Sequence, residues 1–194
     1  MEYIALSHCW GKHPPTEDSP QFCTTNDNIK LRLKGFSFSE LPKTFQEAVR
    51  VTQKLDIQYL WIDSLCIIQW NKEDWEHEAK LMEGVFASAY CTIAATSADN
   101  SGVGFLQRNV SNECVLVHDA SGRRFYICAD TNDSNNHVDI DDFDDHVEKA
   151  PLNTRAWVMQ ERILSRRTIH FSDKQIYWEC GEGVYCETLT RLER

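Results

Sequence analysis

A tryptophan and a glutamate four residues apart are the first candidates for chemistry in this sequence. Trp157 and Glu161 lie in a stretch, residues 154–164, whose pattern predicts a helix. On a helix this spacing places both side chains on one face, about one turn apart. A carboxylate beside a large indole is partly desolvated, which raises its pKa and strengthens its electrostatic interactions. The alternative is structural: Trp157 anchors the core, and Glu161 is solvated and paired with Arg155 or Arg162.

Polar side chains also follow the ends of three predicted strands. They are Ser7, His8, Trp10, Asp63, Ser64, Thr96 and Ser97. In a parallel α/β sheet, ligands bind at the carboxyl ends of the strands, where these residues are expected to meet. Asp63 stands in an otherwise apolar run, where an unpaired charge is costly, so we expect it at a strand end, within reach of Ser7 and His8. The alternative is that these residues only cap helices and satisfy loop backbone.

Nucleophilic catalysis by cysteine has little support in the sequence. A cysteine nucleophile needs a histidine beside it. Cys9 adjoins His8, but neighbouring residues on a strand point to opposite faces. Cys66 and His170 could pair only through the fold, and no pattern in the sequence indicates that they do.

Metal binding is equally weakly indicated. Cys180 and Cys186, with His170 as a possible third ligand, do not match the common zinc spacings. The acidic stretch 139–145 lacks the glycine and the terminal glutamate of a calcium loop. The sequence therefore predicts no metal site and a solvated acidic loop.

Apolar runs alternating with helical patterns predict the scaffold that positions these residues. Such alternation is typical of a mostly parallel sheet in an α/β fold. Strands are expected at 3–8, 59–67, 91–96, 168–171 and 175–180, and helices at 26–33, 44–55, 72–89 and 154–164. The predicted helix caps are Thr44 with Glu47 as a capping box, Asn71, and Asn153 or Thr154.

The length of the chain predicts one domain over residues 1–194 with an insertion at 109–150. Two short strands, at 113–118 and 124–129, flank Ser121 and Gly122, which is a hairpin signal. A strongly acidic stretch follows them. We therefore expect a β-hairpin and an acidic loop at the domain edge.

Charge and cysteine usage exclude some partners. The net charge of −10 argues against a nucleic-acid surface, which needs clustered Lys and Arg. No apolar run is long enough to span a bilayer and no secretion signal is visible, so neither a membrane partner nor secretion is predicted. Most of the eight cysteines lie in apolar runs, as reduced thiols do, so the sequence predicts a cytoplasmic protein.

Several ordered blocks together resemble the HET domain, best known from fungal heterokaryon incompatibility. They are "YIALSHCWG" (3–11), "LPKTFQEAVRVTQKLDIQYLWIDSLCIIQ" (41–69), "DWEHEAKLMEGVFASAYCTIAATSA" (74–98) and "RAWVMQERILSRRTIHFSDKQIYWEC" (155–180). The HET domain is considered similar to TIR domains, which have a flavodoxin-like fold and of which many cleave NAD. The TIR catalytic helix carries Trp, Cys, two variable residues and Glu. Here Trp157 and Glu161 keep that spacing, and Val158 replaces the Cys.

The resemblance implies an NAD glycohydrolase that acts as a cell-death effector in fungal non-self recognition. Glu161 would be the catalytic residue, with NAD as substrate and no cofactor. The implied substrate-binding residues are Ser7, His8, Trp10, Asp63, Ser64, Arg108, Arg155 and Trp157, with Lys12, Arg108 or Arg155 meeting the diphosphate. Activation by self-association and further domains in a larger protein are also implied.

Two other functions are compatible with the same pattern. The chain could be a non-catalytic self-association module, as some TIR domains are. It could also be a nucleoside-processing hydrolase or transferase, which shares the fold and the carboxylate and differs in substrate.

Overall fold

The apolar run near the N-terminus forms an inner strand, second from one edge, of a six-stranded sheet. In the computed structural model, which describes residues 2–11, 16, 22–108, 114–118, 124–128, 140–187 and 192, the sheet order is β2-β1-β3-β6-β7-β8. Its strands are β1 (Tyr3–Ser7), β2 (Tyr59–Ile62), β3 (Cys91–Ala94), β6 (Arg167–Phe171), β7 (Ile176–Cys180) and β8 (Gly183–Cys186). Ile4, Ala5 and Leu6 are all buried, as expected for a strand covered on both faces.

The sheet is parallel on one side and antiparallel on the other. β1 pairs in parallel with β2 and with β3, and β3 pairs in parallel with β6. β6 with β7, and β7 with β8, are antiparallel. The predicted α/β fold and its three parallel N-terminal strands are therefore confirmed. The order β2-β1-β3-β6 also matches the start of the flavodoxin-like order. The likeness to TIR domains stays a prediction.

Helices connect the parallel strands and cover the sheet. They are α1 (Ile29–Arg32), α2 (Lys43–Lys54), α3 (Asp63–Cys66), α4 (Lys72–Ser88), α5 (Ile140–Phe143) and α6 (Ala156–Leu164). Short helical turns also occur at Phe38–Glu40, Asp144–Glu148 and Pro151–Thr154. Among the described residues, no helix is both long and apolar enough to cross a membrane.

The helices predicted at 44–55 and 154–164 are present within two residues, but their predicted caps were wrong. Helix α2 begins at Lys43, and Thr44 does not cap it, because its hydroxyl donates to the Asn100 carbonyl (3.2 Å). Helix α6 begins only at Ala156, because Asn153 Nδ2 donates to the Val147 carbonyl (2.6 Å) and no longer serves as a cap. Thr154 likewise donates to Pro151, within the preceding turn.

The predicted cap at Asn71 is confirmed, but strand β2 is shorter than predicted. Asn71 Oδ1 accepts a hydrogen bond from Asp74 N at 3.0 Å. Strand β2 ends at Ile62 because Asp63 turns the chain: its Oδ1 accepts from Ser64 N at 2.6 Å. The chain then runs as α3, where the sequence predicted continued strand. Asp63 is thereby at the carboxyl end of its strand, as predicted.

The segment around the predicted insertion has two different parts. β4 (Cys114–His118) and β5 (Arg124–Cys128) pair antiparallel, which confirms the hairpin, although its turn lies outside the described residues. Residues 140–148 are helical, where an acidic loop was predicted. Phe143 and Val147 are buried there and pack on Tyr177. The predicted acidic loop was wrong for these residues because Phe143 and Val147, which lie within the acidic run, are buried and attach the segment to the sheet.

Candidate functional site

A cleft of about 160 Å³ opens at the carboxyl ends of β1 and β2, between helices α4 and α6. Its lining combines carboxylates, one arginine and three tryptophans. The lining residues are Trp10, Asp63, Ile67, Gln69, Trp75, Ala79, Met82, Arg155, Trp157 and Glu161. In open α/β sheets, ligands bind in the crevice outside the carboxyl ends of the strands, which is where this cleft lies.

Asp63 is held on one side of the cleft by two hydrogen bonds, with His8 nearby. Its Oδ2 accepts a hydrogen bond from Trp10 Nε1 at 3.0 Å, and its Oδ1 accepts from Ser64 N. His8 Nδ1 lies 3.7 Å from Oδ1. Because a carboxylate that accepts hydrogen bonds keeps a defined orientation, Asp63 can present a fixed negative charge to the cleft.

His8 lies beneath the cleft as a neutral imidazole. It is buried, and burial lowers its pKa; the Asp63 charge acts in the opposite sense and the Arg155 charge in the same sense as burial. Its Nδ1 has no hydrogen-bond partner of good geometry among the described residues. The Arg155 guanidinium donates to the His8 carbonyl, which ties the start of α6 to the end of β1.

Glu161 is the buried carboxyl of the cleft. Its side chain is buried, and its Oε2 has no hydrogen-bond partner within the described part of the chain. The pKa of Glu161 is raised to about 7, first by burial and second by the Asp63 charge, while the Ser7 hydroxyl and the Arg155 charge oppose that rise. Ser7 Oγ lies near enough to this carboxyl to lower its pKa, although the Ser7 hydroxyl forms no hydrogen bond of good geometry among the described residues. A carboxyl with a raised pKa and an unsatisfied oxygen thus faces the cleft, and these are features of a candidate functional group.

Aromatic side chains form the opposite wall of the cleft. Trp157 is 52% exposed, and its ring meets that of Trp75 edge-on, with centroids 6.4 Å apart at 78°. Trp10 stacks on His8 at 6.2 Å. Indole faces that reach solvent can stack on a flat ring of a ligand. The alternative in which Trp157 is a core anchor and Glu161 is solvated is therefore wrong on both residues.

The structure brings most of the predicted site residues together. Trp10, Asp63, Arg155, Trp157 and Glu161 line the cleft, and Ser7 and His8 adjoin it from below. Two other predicted residues lie differently.

Ser64 and Arg108 do not line the cleft. Ser64 is buried behind Asp63, and its hydroxyl has no partner among the described residues. Arg108 forms an ion pair with Glu187. Lys12 lies outside the described residues.

Sequence reasoning missed the wall that α4 contributes. Trp75, Ala79 and Met82 follow a helical repeat that predicts a face packed on the core. Instead Trp75 is 48% exposed and faces α6 across the cleft. The repeat identifies one face of the helix, and it carries no information that the face borders a ligand space.

The alternative chemistries gain nothing from the structure. His170 Nε2 bonds Glu179 Oε2 at 2.9 Å, in a network with Arg162. Burial raises the pKa of the Cys9 thiol, which disfavours a thiolate. No group of three or more His, Cys, Asp or Glu side chains among the described residues could hold a metal ion.

Comparison with known proteins addresses the family. The sequence model of the family described as Heterokaryon incompatibility protein (HET) matches residues 3–161. Heterokaryon incompatibility protein 6, OR allele, of Neurospora crassa is 31% identical over 94 residues, 47% of this chain and 14% of the relative. The chain therefore matches only a small part of that relative's length. No solved structure matches the chain. Because the family match extends from β1 to the cleft glutamate, the chain belongs to the HET family.

Proposed function

We propose that this HET domain hydrolyses the nicotinamide–ribose bond of NAD, with Glu161 as the charge-stabilising carboxylate. One observation carries the proposal: a buried carboxyl with an unsatisfied oxygen faces an aromatic cleft at the carboxyl ends of parallel strands. The spacing of Trp157 and Glu161, shared with the TIR catalytic helix, supports it.

The chemistry needs a fixed negative charge near the sugar. As the bond between C1′ and the pyridinium nitrogen breaks, its electron pair moves to nicotinamide and positive charge develops on the ribose. Water then bonds to C1′ and loses a proton, giving ADP-ribose. The ionised form of Glu161, which is reached as the pH rises through about 7, stabilises that charge and can hold ribose hydroxyls. Nicotinamide leaves as a neutral molecule, so a second carboxylic acid is not required.

The other cleft residues would bind the substrate. Trp10 and Trp157 present indole faces for an aromatic ring, and Arg155 is the cation nearest to a diphosphate entering the cleft. Asp63 would accept a hydrogen bond from a ribose hydroxyl, with His8 and Trp10 holding it in place. Arg108 is not carried into this proposal because it is paired with Glu187.

We infer that the reaction serves fungal non-self recognition, with NAD loss or its product triggering cell death. Support comes from the family and from the Neurospora crassa relative, which is named for heterokaryon incompatibility. Activation by self-association in the cytoplasm, within a longer protein, belongs to the same proposal.

The decisive experiment measures nicotinamide release from NAD by the purified chain at high protein concentration. Glu161→Gln keeps the side-chain shape and removes its charge. Loss of such a preorganised partner should lower the rate about 100- to 1,000-fold. Glu76→Gln, on the exposed side of α4, is the matched control and should stay within a few-fold of wild type. Equal turnover by wild type and folded Glu161→Gln would reject the assignment.

Self-association without catalysis is the second candidate function. Helix α6 exposes Met159 (65%) and Ile163 (69%), which is unusual for large apolar side chains. No turnover by the wild type, together with association that Met159→Ser and Ile163→Ser abolish, would favour this function over hydrolysis.

A further inference from the structure

A surface rich in both leucine and lysine lies on the segment before α2. Its apolar members are Leu31, Leu33, Phe36 and Phe38, which are 68%, 80%, 42% and 41% exposed. Its basic members are Lys30, Arg32, Lys34 and Arg50. We call these eight residues the basic–apolar patch. Exposed large apolar side chains that cluster in this way mark an interaction site.

The rings and cations of the patch form one surface. The Arg32 guanidinium carbon lies 3.8 Å from the ring centroid of Phe22 and 5.2 Å from that of Phe36. Arg50, on α2, lies over Phe38 at 5.7 Å. The Arg50 contact links Phe38 to α2, while Leu31 and Leu33 stay largely exposed.

The charge of this region is opposite to that of the rest of the chain. Residues 29–54 hold six Lys or Arg and two Glu, a net charge of +4, whereas the remaining residues hold 14 and 28, a net charge of −14. Lys30 and Lys34 form no ion pair within the described part of the chain. Because salt screens charges beyond roughly 8 Å, a surface that touches the patch is governed by its local positive charge.

We propose that the basic–apolar patch docks the protein on an anionic phospholipid bilayer, with Leu33, its most exposed apolar side chain (80%), inserted among the headgroups. The combination of exposed lysines with exposed leucines favours a bilayer over a protein partner. Lysine is depleted from protein interfaces, whereas at a bilayer its apolar stem can lie along the acyl region while its ammonium reaches phosphate. The docking is peripheral, and it departs from the expectation of no membrane partner drawn from the sequence.

Co-sedimentation with lipid vesicles tests the proposal. The chain should bind vesicles of phosphatidylcholine with phosphatidylserine, should bind phosphatidylcholine alone far more weakly, and should be released by added salt. Each lysine near such a surface contributes about fivefold in affinity, so Lys30→Ser with Lys34→Ser should weaken binding on the order of 30-fold. Leu31→Ser with Leu33→Ser should weaken it by about tenfold or more.

The chain offers a matched control elsewhere. Lys80 and Leu81, on α4, repeat the lysine–leucine pair on an exposed surface outside the patch. Lys80→Ser with Leu81→Ser should bind like wild type. Absence of binding, equal binding to both lipid mixtures, or binding unchanged by the patch variants would overturn the proposal. Dimerisation in ultracentrifugation that the same patch variants abolish would overturn it in favour of a second copy of the chain.

Discussion

At the scale of single residues, the cleft depends on a carboxyl that folding makes hard to ionise. Spacing alone predicted that Trp157 and Glu161 share a face, and strand ends predicted that Asp63 joins them. The same spacing predicted partial desolvation of Glu161, which its burial confirms, but the extent of that burial depends on how α6 packs on other elements and could not be predicted. Trp75 was unpredictable for the same reason: the neighbour that it meets comes from another helix.

The pH dependence of stability gives a test of Glu161 that needs no substrate. Its pKa is raised from 4.5 to about 7, so the folded state holds this proton more tightly than the unfolded state. That contribution is fully present below pH 4.5 and is lost as pH rises through about 7. Its size is on the order of 3 kcal/mol. The glutamine of Glu161→Gln does not titrate. The free energy of unfolding of this variant, measured with urea and taken relative to wild type, should therefore increase by that amount between pH 4.5 and 8.

Glu76→Gln serves as the control for this comparison. Its side chain is 54% exposed, so the difference from wild type should be small and nearly constant with pH. A difference between Glu161→Gln and wild type that is equally flat would contradict the burial of the Glu161 charge.

At the scale of elements, periodicity predicted which helices and strands exist, but it did not predict the residues at which they begin and end. The starts of α2 and α6 were misplaced because Thr44 and Asn153 bond to loops distant in sequence or to a preceding turn. Glu47 is the strongest example. It was expected to cap its own helix, and it instead accepts hydrogen bonds from Phe105 N (2.5 Å) and Leu106 N (2.7 Å).

The contact between α2 and the loop after β3 should be sensitive to one added methyl group. Gly104 has φ +83°, and a Cβ there would lie 2.8 Å from both Glu47 carboxylate oxygens. That carboxylate cannot withdraw without losing the backbone N–H groups that it accepts from. Gly104→Ala should therefore lower the free energy of unfolding by about 1–3 kcal/mol, measured by urea denaturation.

Gly84→Ala is the opposite control for this substitution. Gly84 lies inside α4, and a Cβ there would meet nothing within 4 Å. Alanine is favoured over glycine in a helix interior, so this variant should be more stable by up to about 1 kcal/mol. If Gly104→Ala were as stable as wild type, the close approach of Glu47 would be refuted.

At the scale of the whole molecule, the parallel half of the sheet was predicted, whereas in the antiparallel half only strand β7 was predicted, at 175–180, and neither its antiparallel pairing nor β8 was. Buried apolar runs separated by helices imply parallel strands, which β1, β2 and β3 are. Strand β8 has only four residues and begins with glycine, so no period distinguishes it from a loop. The acidic residues around Phe143 likewise suggested a solvated loop, so the packing of Phe143 and Val147 on Tyr177 was not predicted.

Within the predicted insertion at 109–150, we expect the hairpin to be dispensable for stability and the segment around Phe143 to be required. Among the described residues, β4 and β5 pair with each other alone and form a sheet separate from the six-stranded one. Cys114 and Cys128 are directly opposite in the ladder, so their Cα atoms lie about 5 Å apart. Two glycines can span that gap, so replacing residues 115–127 with Gly-Gly should change the midpoint of thermal unfolding little.

Phe143→Ala is the contrasting change within the same predicted insertion. Phe143 is buried and its ring packs edge-on against Tyr177, with centroids 5.2 Å apart. Its removal should cost about 3–5 kcal/mol, seen as a lower midpoint in the same thermal measurement. Loss of cooperative unfolding on hairpin replacement, with Phe143→Ala unchanged, would reverse this division. The hairpin would then be part of the domain core, and residues 140–150 would be the dispensable part.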